Sequence, residues 1–247
     1  MRRYIYFLLA LFLLAYSIPA TAAESLNVAV ATNFMQPFQE IAGVFEKKTN
    51  TRINATYMSS GHFYGQIVQG APYDLFLSAD KERPEKLYKE GLAEKPFIYG
   101  SGQVVLWTMQ SERCQGSSWQ RAVQAPTVKR IAIANVETAP YGTAAMAALK
   151  QAGLWLPLEK KFVFAQNIGQ AFQYAFTRSV DAGFCALSSA LSDQGKRGCY
   201  LAIAEAPPIV QSACVLKRSK YIGTAKQLAE FLLSPEALAV KRKYGYK

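Results

Sequence analysis

The chain has 247 residues, enough for one large domain or two of about 110 residues each. Hydrophobic residues make up 51% and charged residues 18%, with 14 Phe and 14 Tyr, which excludes an extended disordered chain and supplies ample material for a core. Lys and Arg outnumber Asp and Glu by 28 to 17, a net charge of +11 that favours an anionic partner, and the single histidine argues against a His-based zinc site.

The first residues carry the marks of an export signal. Arg2 and Arg3 form a positive start, Ile5 to Ile18 follow without a charge, and Pro19-Ala20-Thr21-Ala22-Ala23 supplies small residues for a peptidase. As a helix, residues 5–18 would rise about 21 Å, short of the ~30 Å hydrocarbon core, so export is expected rather than a membrane span. Cleavage after Ala22 fits the A-x-A preference, with Ala23 the near alternative. The first cysteine is Cys114, so no lipid anchor is expected, and loss of residues 1–22 lowers the net charge from +11 to +9. In an oxidising compartment outside the cytoplasm, Cys114, Cys185, Cys199 and Cys214 are expected to form one disulfide or two, or to remain buried thiols; the pairing stays open.

Strand and helix then alternate along the chain. Ser25–Ala31 is a short apolar strand, and Phe38, Ile41, Ala42 and Phe45 mark one face of the helix after it. Arg52–Met58 alternates as a strand, a helix is expected around 62–69, Asp74–Ser78 is a third strand, and a helix over 84–90 is stopped by Gly91. After residue 100 the pattern restarts, with strands over 103–108, 130–134, 161–165, 182–187 and 200–204. Helices are expected over 143–152 and 169–178. Pro207-Pro208 breaks the chain, residues 213–216 resume as strand, and helices over 227–233 and 235–243 finish it. This order implies an α/β fold of two lobes, each a mostly parallel sheet flanked by helices, with a ligand cleft between them. The expected limits are 1–22 for the signal, 23–102 plus 217–247 for the first lobe, and 103–216 for the second.

Four strand-to-helix junctions share a character: Thr32-Asn33-Phe34, Ser59-Ser60-Gly61-His62, Ala139-Pro140-Tyr141-Gly142 and Asn167-Ile168-Gly169. Each offers backbone N–H groups at a helix start, and none contains Lys or Arg. Four helix starts at about half a positive charge each sum to roughly +2, the charge of a dianion's complement. A neutral shell of this kind selects by ion size and oxygen position, whereas a lysine attracts any anion. Singly, each junction is equally an ordinary helix cap worth about 1 kcal/mol; two junctions in each lobe make the set notable.

Thr32-Asn33, Ser59-Ser60-Gly61 and the stretch Gly70-Ala71-Pro72-Tyr73-Asp74-Leu75-Phe76-Leu77-Ser78-Ala79-Asp80 resemble the periplasmic molybdate-binding proteins of ABC importers. So do Asn167-Ile168-Gly169-Gln170-Ala171, Asp181-Ala182-Gly183 and Leu232-Leu233-Ser234-Pro235-Glu236-Ala237, in order along nearly the whole chain. The resemblance implies a type II periplasmic-binding-protein fold that closes on molybdate or tungstate. It implies ligand contacts from Thr32, Asn33, Ser60, Tyr141 and Ile168, the last through its backbone N–H. It further implies a monomer that serves a membrane permease and its ATPase, with no cofactor and no enzymatic activity. Many members place a tyrosine donor where this chain has Ala186, after Phe184-Cys185, so the Tyr141 hydroxyl is expected to substitute for it.

Two other readings remain. One is a binding protein of the same fold for another solute, such as sulfate, phosphate or ferric iron. A secreted hydrolase using Ser59 or Ser60 with His62 is disfavoured, because residues two or three apart at a helix start align poorly and no G-x-S-x-G elbow occurs. His62 is expected to face solvent, with an approach to the ligand as the alternative, and Asp74 and Asp80 are expected to fix turns. Trp107, Trp119 and Trp155 lack the basic interleaving of a nucleic-acid surface, so no such partner is expected.

Overall fold

The computed structural model describes residues 24–247, so the expected signal segment 1–22 lies outside the described residues. Two five-stranded sheets organise the rest. The first contains β1 (Ser25–Ala31), β2 (Arg52–Met58), β3 (Leu75–Ser78), β4 (Phe97–Gly102) and β10 (Ile209–Val215), in the order β2-β1-β3-β10-β4. The second contains β5 (Val104–Thr108), β6 (Ile131–Ala134), β7 (Phe162–Ala165), β8 (Ala182–Ala186) and β9 (Cys199–Ala202), in the order β7-β6-β8-β5-β9. Among the described residues no helix is long and apolar enough to cross a membrane.

In each sheet a single strand opposes the rest, β10 in the first and β5 in the second. Both are crossing strands, and the reason is geometric. The carboxyl ends of β1, β2, β3, β6, β7 and β8 face the seam between the lobes, so a chain that enters a lobe from the seam must run away from it. Only Gln103 separates β4 from β5, so the first crossing is nearly one continuous strand. The second crossing lies ahead of Ile209, which corrects the lobe limits expected from sequence. Strand β10 pairs antiparallel with both β3 and β4, so residues 209–216 belong to the first lobe and not to the second. An apolar run such as Ser212–Val215 fits either sheet, and only its partners decide.

Helices cover the sheets where the sequence turns to a 3.6-residue period. A 3-10 turn at Thr32–Phe34 leads into α1 (Met35–Thr49), which buries Phe38, Ile41, Ala42 and Phe45 and ends on Asn50 in the left-handed region at φ 56°. Next come α2 (Ser60–Val68) and α3 (Glu82–Lys89), the latter followed by Gly91 at φ 75°. The second lobe adds α4 (Trp119–Gln124), α5 (Pro140–Gln151), α6 (Trp155–Leu158), α7 (Ile168–Phe176) and α8 (Leu187–Ala190). The first lobe is completed by α9 (Ile222–Phe231) and α10 (Pro235–Lys243). Four of these helices start on a side-chain cap: Ser59 accepts from His62 N–H, Ser118 from Arg121 N–H, Asn167 from Gln170 N–H, and Ser234 from Ala237 N–H.

Each lobe has its own aromatic core. Phe34 packs against Tyr99 and Tyr246 at centroid distances of 4.8 and 5.1 Å, and Trp107 packs edge-on against Phe172 at 5.0 Å. A disulfide joins Cys114 to Cys199 and ties the turn before α4 to edge strand β9, while Cys185 and Cys214 are buried free thiols. Burial raises both thiols above the ordinary range. Lys241 of α10 is buried and donates to the carbonyls of Tyr99 and Leu232 at 2.6 and 2.9 Å, with no carboxylate among its partners. Burial lowers its pKa to about 8.

Two outcomes follow from these features. Labelling of the oxidised protein with a thiol reagent is expected to find neither Cys185 nor Cys214 in the folded state and both after unfolding. Replacing Cys114 and Cys199 by Ser should cost about 2–4 kcal/mol in a urea titration. Because the Lys241 pKa is lowered on folding, the unfolded chain binds more protons between pH 8 and about 10.4, so this residue makes stability rise with pH there. Urea midpoints of the parent minus Lys241→Met should therefore grow more favourable to the parent from pH 8 to 10.

Candidate functional site

The four junctions singled out from sequence meet at one place. Thr32, Asn33, Ser60, Tyr141 and Ile168 all line a single small cavity at the seam between the lobes. No Lys, Arg, Asp or Glu lines it; the remaining walls are uncharged, chiefly alanines and Pro140. All five residues are buried, from 1% exposed for Asn33 and Ser60 to 5% for Thr32.

Local sequence explains how these groups reach the cavity. Ser60 and Ile168 are the first residues of α2 and α7, and Tyr141 is the second residue of α5 after Pro140, so no carbonyl four residues back is available within the helix. Among the described residues the N–H groups of Asn33, Ser60, Tyr141 and Ile168 donate to nothing in the chain. Two hydroxyls join them. Thr32 Oγ1 accepts from Gly169 N–H at 3.3 Å, and Ser60 Oγ accepts from Ala79 N–H at 2.9 Å, which leaves each hydroxyl proton to donate. Four N–H groups and two O–H groups therefore converge on one small space.

One side chain does something other than the sequence suggested. The Asn33 amide is committed: it donates to Gln211 Oε1 at 2.8 Å and to Tyr246 Oη at 2.9 Å, so Asn33 offers the cavity only its backbone N–H. The Tyr141 hydroxyl accepts from Gln211 Nε2 at 3.1 Å, which leaves its proton to donate. Tyr141 also offers its backbone N–H at the start of α5. Burial pushes the Tyr141, Tyr99 and Tyr246 hydroxyls up from the ordinary tyrosine range, so all three stay protonated. Gln211, Tyr99, Tyr246 and Ser188 carry no local motif and were not singled out from sequence.

The remaining candidates are structural. His62 is exposed, with Nδ1 2.7 Å from Ser59 Oγ, and does not line the cavity. Asp74 accepts from Asn27 N–H at 2.7 Å and from the Ser219 hydroxyl at 2.6 Å, while Asp80 caps Arg83 N–H and pairs with its guanidinium. These contacts fix turns, as their positions at strand ends suggested.

Several hydrogen bonds cross the seam around the cavity. Gly61 N–H donates to Thr138 O at 2.9 Å, Ser188 Oγ to Asn33 O at 2.6 Å, and Arg83 Nη2 to Glu137 O at 3.1 Å, besides Gly169 to Thr32 and Gln211 to Tyr141. A Cβ at Gly61 would lie 2.9 Å from the Thr138 backbone, so only glycine allows this close approach.

The family model for bacterial extracellular solute-binding proteins matches residues 26–247. This chain belongs to that family. It is 38% identical over 232 residues to the molybdate-binding protein ModA of Rhodobacter capsulatus, covering 93% of this chain and 90% of the relative. Its fold matches the periplasmic molybdate-binding protein of Azotobacter vinelandii with a TM-score of 0.85 at 33% identity, over 90% of this chain and 98% of that one. The sulfate-binding protein SubI of Mycobacterium tuberculosis is also similar, with a TM-score of 0.76 over 90% of this chain and 86% of that one. At 14% identity that match speaks for the fold alone. The solute-binding family and its two-lobed fold agree with what the sequence motifs implied.

Proposed function

We propose that this chain is the solute-binding component of an ABC importer and that its cargo is molybdate, with tungstate as a second ligand. The observation that carries the reading is the cavity itself: six converging neutral donors from Thr32, Asn33, Ser60, Tyr141 and Ile168, and no charged side chain. Such a shell suits a compact tetrahedral dianion. It offers no carboxylate to a ferric ion, and it admits or rejects other oxyanions by size. The curated molybdate-binding relative, similar over nearly its full length, supports the choice of ion.

Magnitudes are consistent with tight capture. Hydrogen bonds to a charged partner contribute roughly 1.5–3 kcal/mol each, so six amount to on the order of 10–20 kcal/mol before desolvation and closure. A remainder of about 8–12 kcal/mol corresponds to micromolar to nanomolar affinity. The net charge of +9 left after loss of residues 1–22 raises the rate of encounter with an anion more than the final affinity. In this reading the protein is exported by its first 22 residues, acts as a periplasmic monomer without a cofactor, and delivers its cargo to a permease driven by ATPase subunits. The ion is carried unchanged.

Calorimetric titration with molybdate, tungstate, sulfate and phosphate tests the assignment. The first two are expected to bind at micromolar affinity or better and the others far more weakly; a preference for sulfate or phosphate would replace the reading. At a hundredfold excess over the dissociation constant, molybdate should stabilise the protein by about 2.7 kcal/mol, roughly 5–10 °C in melting temperature. Thr32→Ala combined with Ser60→Ala should weaken binding by about 3–5 kcal/mol. Because the titratable group that lines the cavity, the Tyr141 hydroxyl, is held protonated by burial, affinity should vary less than about twofold from pH 6 to 9 and on His62→Gln.

A further inference from the structure

Beneath the cavity lies a buried polar cluster that no strand ladder or helix cap requires. At its centre is Gln211 of β10, which is fully buried. Its Oε1 accepts from Asn33 Nδ2 at 2.8 Å and from the Tyr99 hydroxyl at 2.7 Å, and its Nε2 donates to the Tyr141 hydroxyl at 3.1 Å. The β4–β10 ladder is irregular here: Gln211 pairs with Gly100 and Ser212 with Ile98, skipping Tyr99. The irregularity belongs to the backbone that turns Tyr99 toward Gln211.

Asn33 and Tyr99 lie with Gln211 in the first lobe, whereas Tyr141 comes from the second lobe. Its hydroxyl reaches its place only because residue 102, at the end of β4, has no side chain. A Cβ there would stand 2.0 Å from the Tyr141 hydroxyl, 3.3 Å from its Cζ and 2.6 Å from Gln211 Nε2. Gly102, Gln211 and Asn33 thus form a socket into which the tyrosine of the opposite lobe fits. Both Asn33 and Tyr141 contribute backbone donors to the cavity, so the socket fixes two of the donor-bearing segments relative to each other.

We propose that Gln211 is a positioning residue for the donor shell: from the returning hinge strand it holds Asn33 of one lobe and Tyr141 of the other, with Gly102 leaving the space that this contact needs. The inference rests on the oxyanion reading given above and adds to it a determinant outside the cavity wall. A buried amide with donors and an acceptor satisfied on both sides has one favourable orientation, so the two segments are registered to within a hydrogen bond's tolerance.

The test is a molybdate titration of the parent, Tyr141→Phe, Gln211→Met, their combination, Gly102→Ala, and Gly102→Ala with Tyr141→Phe. Tyr141→Phe and Gln211→Met should each weaken binding roughly 3- to 10-fold, and together no more than about the stronger of the two. Gly102→Ala should weaken it more than about 100-fold, because closure would drive a methyl group into the hydroxyl. In that background, Tyr141→Phe is expected to restore affinity by about tenfold, reversing the sign of its effect in the parent. A packing role without positioning predicts the same loss in both backgrounds, and that result overturns the inference, as does a Gly102→Ala protein that binds like the parent. Melting of the ligand-free Gly102→Ala protein should stay within a few degrees of the parent, since neither lobe's core changes. Should Gln211→Met fail to fold, the Gly102 and Tyr141 pair still decides the question. A parent that binds none of molybdate, tungstate and sulfate overturns the oxyanion reading and this inference with it; a parent that binds, with additive variants, overturns the inference alone.

Discussion

The organisation of this protein depends on one constraint: a buried N–H group needs an acceptor, and the first turn of a helix cannot supply one. Three helix starts and the 3-10 turn after β1 deliver such groups to the same enclosed space. Left without acceptors, each donor costs about 1–3 kcal/mol, so the closed arrangement is one that a small anion stabilises and that a cation or an apolar solute does not. The absence of a lysine or arginine from the cavity wall gives the site its character. A formal positive charge would reward any anion, whereas fixed dipoles reward only an ion whose oxygens meet the donors.

The seam around the cavity follows the same logic on a larger scale. Its crossing hydrogen bonds join Gly61 to Thr138, Gly169 to Thr32, Ser188 to Asn33, Arg83 to Glu137 and Gln211 to Tyr141. Each crossing contact is worth about 1 kcal/mol, far less than either hydrophobic core, so the lobes are held by a contact that can part without unfolding them. The two crossings lie on one side of the molecule, on β4 continuing into β5 and on the chain entering β10. Only those strands run against their sheets, because each enters from the seam. The architecture therefore places the crossings beside the ligand cavity, with Gly102 at the end of β4 and Gln211 near the start of β10.

Much of this was legible one residue at a time. The limits of β1, β2 and α10 agree with the sequence pattern, since alternation, the apolar stripe and the Ser234-Pro235 start are local signals. The same holds for the site: Thr32, Asn33, Ser60, Tyr141 and Ile168 stand at strand-to-helix junctions, and such junctions of an α/β lobe share the carboxyl edge of its sheet. Strand β4 escaped notice because Gly100-Ser101-Gly102 breaks the alternation; it is held as a strand by β10 and by Lys247, which exchanges backbone hydrogen bonds with Ser101.

Sequence by itself determined the alternating α/β elements, the neutral composition of the four junctions and the membership in a solute-binding family, because each rests on residues near one another in the chain. Tertiary structure decided that β10 joins the first sheet, that Cys114 pairs with Cys199, and that the Asn33 amide and Tyr141 hydroxyl turn inward to Gln211. The physical reason is range. Asn33 and Tyr141 stand 178 and 70 residues from Gln211 along the chain, so the first hydrogen bond exists only once the first lobe has folded and the second only once the two lobes have met.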